Sequence, residues 1–224
     1  MIADIEKLDS ILDELKPFHA TLVAVSKKKP AESIDFLYEH GQRDFGENYV
    51  QELLEKQGSL PADIKWHFIG HLQSNKIKLI TPFVHLIHGI DSHQLVGEVN
   101  RQAIALDTNL DVLLQVRIAK EETKFGLLPD EVLKIMEGLL SIPFNGITVR
   151  GLMGMASFTP DEIQIRDEFR IMRKLYDTIL SDADASIRST FNILSMGMST
   201  DYKIALSEGS NMVRIGSAIF GERS

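Results

Sequence analysis

The chain has 224 residues, of which 44% are hydrophobic and 25% charged, enough apolar material for a large core, so a disordered chain is excluded. It contains no cysteine, which excludes disulfides, thiolate metal sites and a cysteine nucleophile. With 24 Lys and Arg against 32 Asp and Glu the net charge is -8, which argues against generic attraction to nucleic acid or anionic lipid; any anion must be held locally.

The opening Met1-Ile2-Ala3-Asp4 lacks the basic and apolar regions of a secretion signal, and no run approaches the roughly 18 apolar residues of a membrane span. A cytoplasmic protein is expected. Ile5, Leu8, Ile11, Leu12 and Leu15 recur at helical spacing up to Pro17. Leu22 to Ser26 is a short apolar run ended by Lys27-Lys28-Lys29-Pro30, the pattern of a strand buried on both faces in a parallel sheet. Strand and helix then alternate. Ala31 to His40 reads as a helix with Gly41 as its C-cap, Asp44 to Asn48 ends a short strand, and Val50, Leu53 and Leu54 mark the next helix. Ile64 to Ile69 is the third strand, followed by a short helix over Asn75 to Ile80. Val84 to Ile90 is the fourth, and Asp91 or Ser92 caps a helix carrying Leu95, Val99, Ala103 and Leu106.

Leu110 to Ile118 is the fifth strand, and the Lys120 to Gly126 loop leads to a helix carrying Val132, Ile135, Met136, Leu139 and Leu140. Ile147 to Met155 is the sixth strand, and Asp161 to Asp182 is a long helix with Phe169, Met172, Tyr176 and Ile179 inward. Phe191 to Leu194 is the seventh strand, followed by a turn at Ser195 to Ser199 and a short helix ending near Gly209; Met212 to Ile215 is the eighth. Eight strands with seven helices between them, and an N-terminal helix for the remaining gap, predict a single (β/α)8 barrel over residues 1–224. An open doubly wound sheet is disfavoured because no G-x-G-x-x-G follows the first strand.

In such a barrel the carboxyl ends of all strands open on one face, where chemistry is carried out. That gathers Lys27, Asn48, His71, Met153 and Met155. The last two units add Ser195, Gly197, Ser199, Gly216 and Ser217, in the loops that often bind phosphate in barrels of this class. A lysine facing a phosphate cradle admits a Schiff base with a sugar phosphate or with pyridoxal 5'-phosphate (PLP). Arg214, two residues before Gly216, points into the mouth by period-two geometry and favours the second, because a pyridine nitrogen needs a partner and a sugar does not. A salt bridge from Arg214 to Glu208 or Glu222 is the alternative. Glu52, Glu55 and Lys56 read as a solvated helix face, Lys28 and Lys29 as surface charge or, if Lys27 were removed, transient acceptors of PLP, and Met136, Phe169 and Met172 as packing.

Ala24-Val25-Ser26-Lys27, Phe45-Gly46-Glu47-Asn48-Tyr49-Val50-Gln51-Glu52, Trp66 to Lys76, Gly151-Leu152-Met153, Ser195-Met196-Gly197-Met198-Ser199 and Val213-Arg214-Ile215-Gly216-Ser217 together resemble the YggS/PROSC family of pyridoxal phosphate homeostasis proteins. The resemblance spans nearly the whole chain in the family's order. It implies a barrel like the N-terminal domain of alanine racemase, with Lys27 as the Schiff-base lysine and Arg214 at the pyridine nitrogen. By the same match Ser199, Gly216 and Ser217 hold the phosphate, Ser195 is a weaker candidate for it, and Asn48 lies near the ring. The family often has Thr at the position of Ser217; either residue supplies a hydroxyl and a backbone N–H.

The resemblance also implies a carrier or buffer of PLP without dedicated catalysis, handing cofactor to free amines or PLP-dependent apoenzymes. The runner-up is a weak or narrow amino-acid racemase. Racemisation needs a second base, which alanine racemase takes from a further domain that this sequence, stopping at Ser224, is expected to lack. Tyr49, Tyr202 and His71 are the internal candidates, each also readable as structural. A sugar-phosphate aldolase is a third reading, in which Arg214 has no evident role. No metal, nucleic acid or membrane is expected, and a closed barrel makes no demand for a dimer, so a monomer is expected.

Overall fold

The computed structural model describes residues 3–120, 125–141 and 144–221. Eight strands pair in parallel in sequence order and close into a barrel: β1 (Thr21–Val25), β2 (Asp44–Glu47), β3 (Lys65–Phe68), β4 (Val84–Ile90), β5 (Leu110–Val116), β6 (Ile147–Gly154), β7 (Ile193–Ser195) and β8 (Met212–Ile215). Helix α1 (Ile5–Leu15) precedes β1, and each strand leads into a helix: α2 (Ala31–Glu39), α3 (Val50–Gln57), α4 (Ile77–Ile80), α5 (His93–Ala105), α6 (Pro129–Ser141), then α7 (Glu162–Asp182) with α8 (Ala185–Thr190), α9 (Tyr202–Ser207) and α10 (Ser217–Phe220). The barrel is the architecture expected. Four residues of the expected Lys120 to Gly126 loop, 121–124, lie outside the described residues.

Helix starts follow local chemistry. Asp4 caps α1 through Lys7 N–H, Ser92 caps α5 through Leu95 N–H, and Asp161 caps α7 through Ile163 and Gln164 N–H. Leu8, Ile11 and Leu15 form the buried stripe of α1, and Phe169, Met172, Tyr176 and Ile179 that of α7, as their spacing predicts. Two helices were not expected. The six-residue α8, capped by Asp184, and the four-residue α10 are too short to carry a hydrophobic period. α10 receives α1, and Asp4 N–H donates to Ile219 O at 2.9 Å, tying the start of the chain to its last described helix.

Most of the core lies between strands and helices. A second, smaller apolar layer, Val23, Leu86, Leu113, Met153 and Met212, fills the barrel itself. On β1 the inward row is Thr21, Val23 and Val25, so the polar residue opens on the amino-end mouth, the middle one joins the plug and the last lines the carboxyl-end mouth. Gly151 on β6 has φ +150°, and a Cβ there would collide with the Ile193 carbonyl; only glycine permits this bulged register against β5. No helix among the described residues is long and apolar enough to cross a membrane.

Candidate functional site

At the carboxyl ends of the strands lies a cavity of about 330 Å³. Lys27, Asn48, Ser199, Arg214, Gly216 and Ser217 all line it, arriving from the ends of β1, β2, β7 and β8. Ile69, Met153, Met155, Met198 and Phe158 supply apolar wall, and Phe158 stands 90% exposed at the rim. Met153 on β6 and Met155, just past the strand's end, both reach the cavity.

The backbone that carries Lys27 is held from both sides. Before it, the fully buried Ser26 donates through Oγ to Glu47 Oε1 at 2.6 Å, and its carbonyl accepts from Lys56 Nζ at 2.8 Å. After it, Lys28 takes φ +59° and its N–H donates to Glu52 Oε1 at 2.5 Å. Lys56 Nζ also donates to Glu47 and Glu52, each at 2.7 Å, so the three ammonium protons have three acceptors. Burial pushes the Glu47 carboxyl up, and the Lys56 ammonium pulls it back. This overturns the expectation of a solvated face at Glu52, Glu55 and Lys56: Lys56 is 6% exposed, and only Glu55 lies outside, accepting from Gln51. A Glu and a Lys four apart on a helix normally pair on its surface. Here the pair is drawn inward by Glu47, a strand residue that the helical pattern cannot anticipate.

Arg214 is buried at the base of the cavity. Its guanidinium donates to Ser195 O at 3.0 Å, Ser195 Oγ at 2.6 Å and Gly154 O at 3.0 Å. Burial lowers its pKa to about 10, opposed by the nearby Asp201 charge, so it stays cationic at neutral pH. The alternative salt bridge to Glu208 does not form, because Glu208 pairs with Arg166 and Arg170; Glu222 lies outside the described residues. Ser195 is fully buried and used by Arg214, and it is not among the residues lining the cavity. Ser199 Oγ accepts from Gly216 N–H at 3.3 Å, joining the loops after β7 and β8, and α10 starts at Ser217 with N–H groups that have no partner within the helix.

Lys29 also lines the cavity and donates through Nζ to Phe220 O at 3.0 Å and Gly221 O at 3.3 Å, whereas Lys28 is exposed and does not line it. The three internal base candidates lie elsewhere. Tyr202 OH donates to Glu14 on α1 at 2.7 Å, and its pKa is pushed up to about 12 by burial and by that bond. His71 pairs with Asp91 at 2.9 Å and stacks on Phe125, and with the exposed Tyr49 it lines a neighbouring groove.

The residues present fit PLP. Asn48 Oδ1 is buried at the wall without a partner, an acceptor awaiting a donor. Gly70 fixes that wall, since a Cβ there would collide with the Asn48 carbonyl. Among the described lining residues the ionisable ones are Lys27, Lys29 and Arg214, all cations, which suits a phosphate-bearing ligand.

Comparison with known proteins agrees with this geometry. The family profile described as "Alanine racemase, N-terminal domain" matches residues 4–224. The chain is 38% identical over 205 residues to the pyridoxal phosphate homeostasis protein of Aquifex aeolicus (91% of this chain, 87% of that one). It is 40% identical over 220 residues to that of Homo sapiens (94% of this chain, 79% of that one). PipY of Synechococcus elongatus, solved with PLP bound, superimposes with a TM-score of 0.84 at 34% identity, covering 96% of this chain and 99% of that chain. Alanine racemase of Bartonella henselae shares the fold alone, with a TM-score of 0.72 at 14% identity over 96% of this chain and 59% of that one. The chain therefore belongs to the alanine racemase N-terminal domain family and, within it, to the pyridoxal phosphate homeostasis proteins of YggS/PROSC type.

Proposed function

We propose that this protein binds PLP reversibly at the carboxyl-end cavity, as a Schiff base on Lys27, and serves intracellular PLP homeostasis as a carrier or buffer. The observation that carries the reading is the make-up of that cavity: two lysines, of which Lys27 stands on a pinned backbone, one buried arginine and a hydroxyl-lined cradle, with no carboxylate, histidine or tyrosine among its described lining residues. When bound, the cofactor supplies an aldehyde that condenses with an amine and a phosphate that anchors it.

The chain's own groups divide the work. Lys27 provides the amine. Ser199, Gly216 and Ser217 hold the phosphate by hydroxyl and backbone N–H donors, and Arg214 donates a hydrogen bond to the ring nitrogen while keeping its own proton, which leaves that nitrogen unprotonated. Asn48 lies on the ring side of the ligand. Ser195 acts through Arg214, fixing the direction of its guanidinium. The mouth is open at Phe158, so water and amines reach Lys27, and this suits transfer better than the water exclusion of a turnover site. PLP-dependent apoenzymes and free amines are the recipients under this reading, and the protein works as a cytoplasmic monomer.

Visible absorbance of purified protein, followed by borohydride reduction and peptide mapping, tests it. A yellow protein whose reduced adduct maps to Lys27, and Lys27→Ala protein without colour, are the expected results. Colourless protein that takes up no added PLP would overturn the reading. Solvent deuterium appearing at the α-carbon of an amino acid would replace the carrier with a racemase.

A further inference from the structure

The amino-end mouth of the barrel holds a second polar cluster that the cofactor site does not use. Asp44 opens β2, His67 lies on β3 and His85 on β4, and one ligating atom of each lies within 4.8 Å of the others. His67 is fully buried, its Nε2 is 3.0 Å from Asp44 Oδ1, and its ring centroid is 5.4 Å from that of His85. A cavity of about 350 Å³ opens in front of all three.

Two further features concern how the cluster is built. The first is a bulge. Trp66 pairs with Val84 but His67 pairs with Leu86, so His85 is an extra residue in the ladder. Val84 and Ile87 belong to the outer core and Leu86 to the inner plug; strict alternation would therefore have sent His85 and Leu86 to opposite faces. The bulge instead sets the His85 ring beside His67, the re-aiming of a side chain for which bulges are retained. The second is a backing group. His67 Nδ1 lies 2.9 Å from Nε2 of the fully buried His88, the outer hydrogen bond that a metal-ligating histidine makes with its other nitrogen.

We propose that Asp44, His67 and His85 form a binding site for a first-row divalent cation of the zinc class. Two imidazoles and one carboxylate suit Zn²⁺, Ni²⁺, Cu²⁺ or Fe²⁺ and not Mg²⁺ or Ca²⁺, and three protein donors leave a fourth position for water from the cavity. The Asp44 hydrogen bond needs the His67 proton on Nε2; ion binding shifts that proton to Nδ1, where it donates to His88 Nε2 while His88 carries its own on Nδ1, and leaves the Nε2 lone pair and the Asp44 carboxylate for the ion. Bonds of about 2.0–2.2 Å require the three donors to draw together. His85, the exposed member, is the one able to move. Lys65 shares the cavity and lowers the affinity, while Arg150 is already paired with Asp111 at 3.0 Å.

The test is titration of chelator-stripped protein with Co²⁺, read by its visible ligand-field absorption, and with Zn²⁺ by calorimetry. One ion per chain is expected. His85→Ala and Asp44→Asn each abolish the Co²⁺ spectrum, and His88→Gln weakens binding by about 10- to 100-fold, the usual cost of losing an outer partner. Because His85 is exposed, His85→Ala keeps the native circular dichroism and melting temperature, so loss of binding in it is not loss of fold. His93→Ala, on the surface at the start of α5, and Lys27→Ala leave Co²⁺ binding unchanged. No uptake by wild type at millimolar Co²⁺, equal affinity in His85→Ala, or loss in His93→Ala would each overturn the proposal.

Discussion

The two mouths of the barrel enclose cavities of similar size, yet they treat charge in opposite ways. At the carboxyl end the described ionisable groups on the wall are Lys27, Lys29 and Arg214, all cations. At the amino end Asp111 sits against Arg150 and Asp44 against His67, so each acid already has a partner inside the protein. A wall lined by cations favours an anionic ligand; one lined by acids and bases already in contact takes a ligand only by displacing an existing contact. Construction differs too. The upper site is assembled from strand ends and loops, whereas the lower one is made of strand residues and depends on register.

Lys27→Ala sharpens this contrast most. It is expected to remove all covalently held PLP and its visible absorbance while leaving melting temperature and Co²⁺ binding at the other mouth intact. Next is Lys56→Ala, which strands the buried Glu47 carboxylate and releases Ser26 O. Breaking a buried pair on one side costs about 3–5 kcal/mol, measurable by urea unfolding. The double variant Lys56→Ala/Glu47→Gln is expected to be more stable than Lys56→Ala alone, and a double variant no more stable would mean that Lys56 acts by packing only.

Ser199→Ala tests the proposed cradle: losing one donor to a charged phosphate is worth about 1.5–3 kcal/mol, so the Kd for PLP is expected to rise about tenfold or more with the Lys27 adduct still forming. A Kd that does not move would take Ser199 out of the cradle. The smallest effect lies behind the upper site, at Tyr202. Its phenol, pushed up to about 12 from an ordinary 10.0, keeps its proton in the folded protein while the unfolded chain releases one. The folded state therefore binds more protons between about pH 10 and 12, and stability falls as pH rises through that window. Tyr202→Phe is expected to flatten that part of the stability profile, as read by thermal unfolding at successive pH values.

Much of the upper mouth was legible in the sequence. Lys27, Asn48, Ser199, Arg214, Gly216 and Ser217 each follow a short apolar run or lie within one, and the common polarity of a parallel barrel brings such ends together without knowledge of register. Ser195 lies at the strand end its sequence position indicates, yet it packs against Arg214 and does not line the cavity, a side that sequence position does not reveal. The network behind Lys27 is hidden in the sequence because Glu52 and Lys56 have the spacing of an ordinary surface pair, and nothing local to α3 marks the buried Glu47 as their third member.

The lower mouth was not legible at all. His85 and His88 are three apart on one strand, a spacing that period two assigns to opposite faces, and only the bulge against β3 turns both toward His67. What the sequence determined by itself was the order and type of elements, and with them the barrel and the face that carries Lys27, because hydrophobic period and turn residues act over neighbouring positions. What the tertiary structure decided was which polar groups meet across strands, the Lys56 clamp and the Asp44, His67 and His85 cluster. Those meetings depend on register and bulges, which are set by packing between segments distant in the chain and leave no periodic trace in either one.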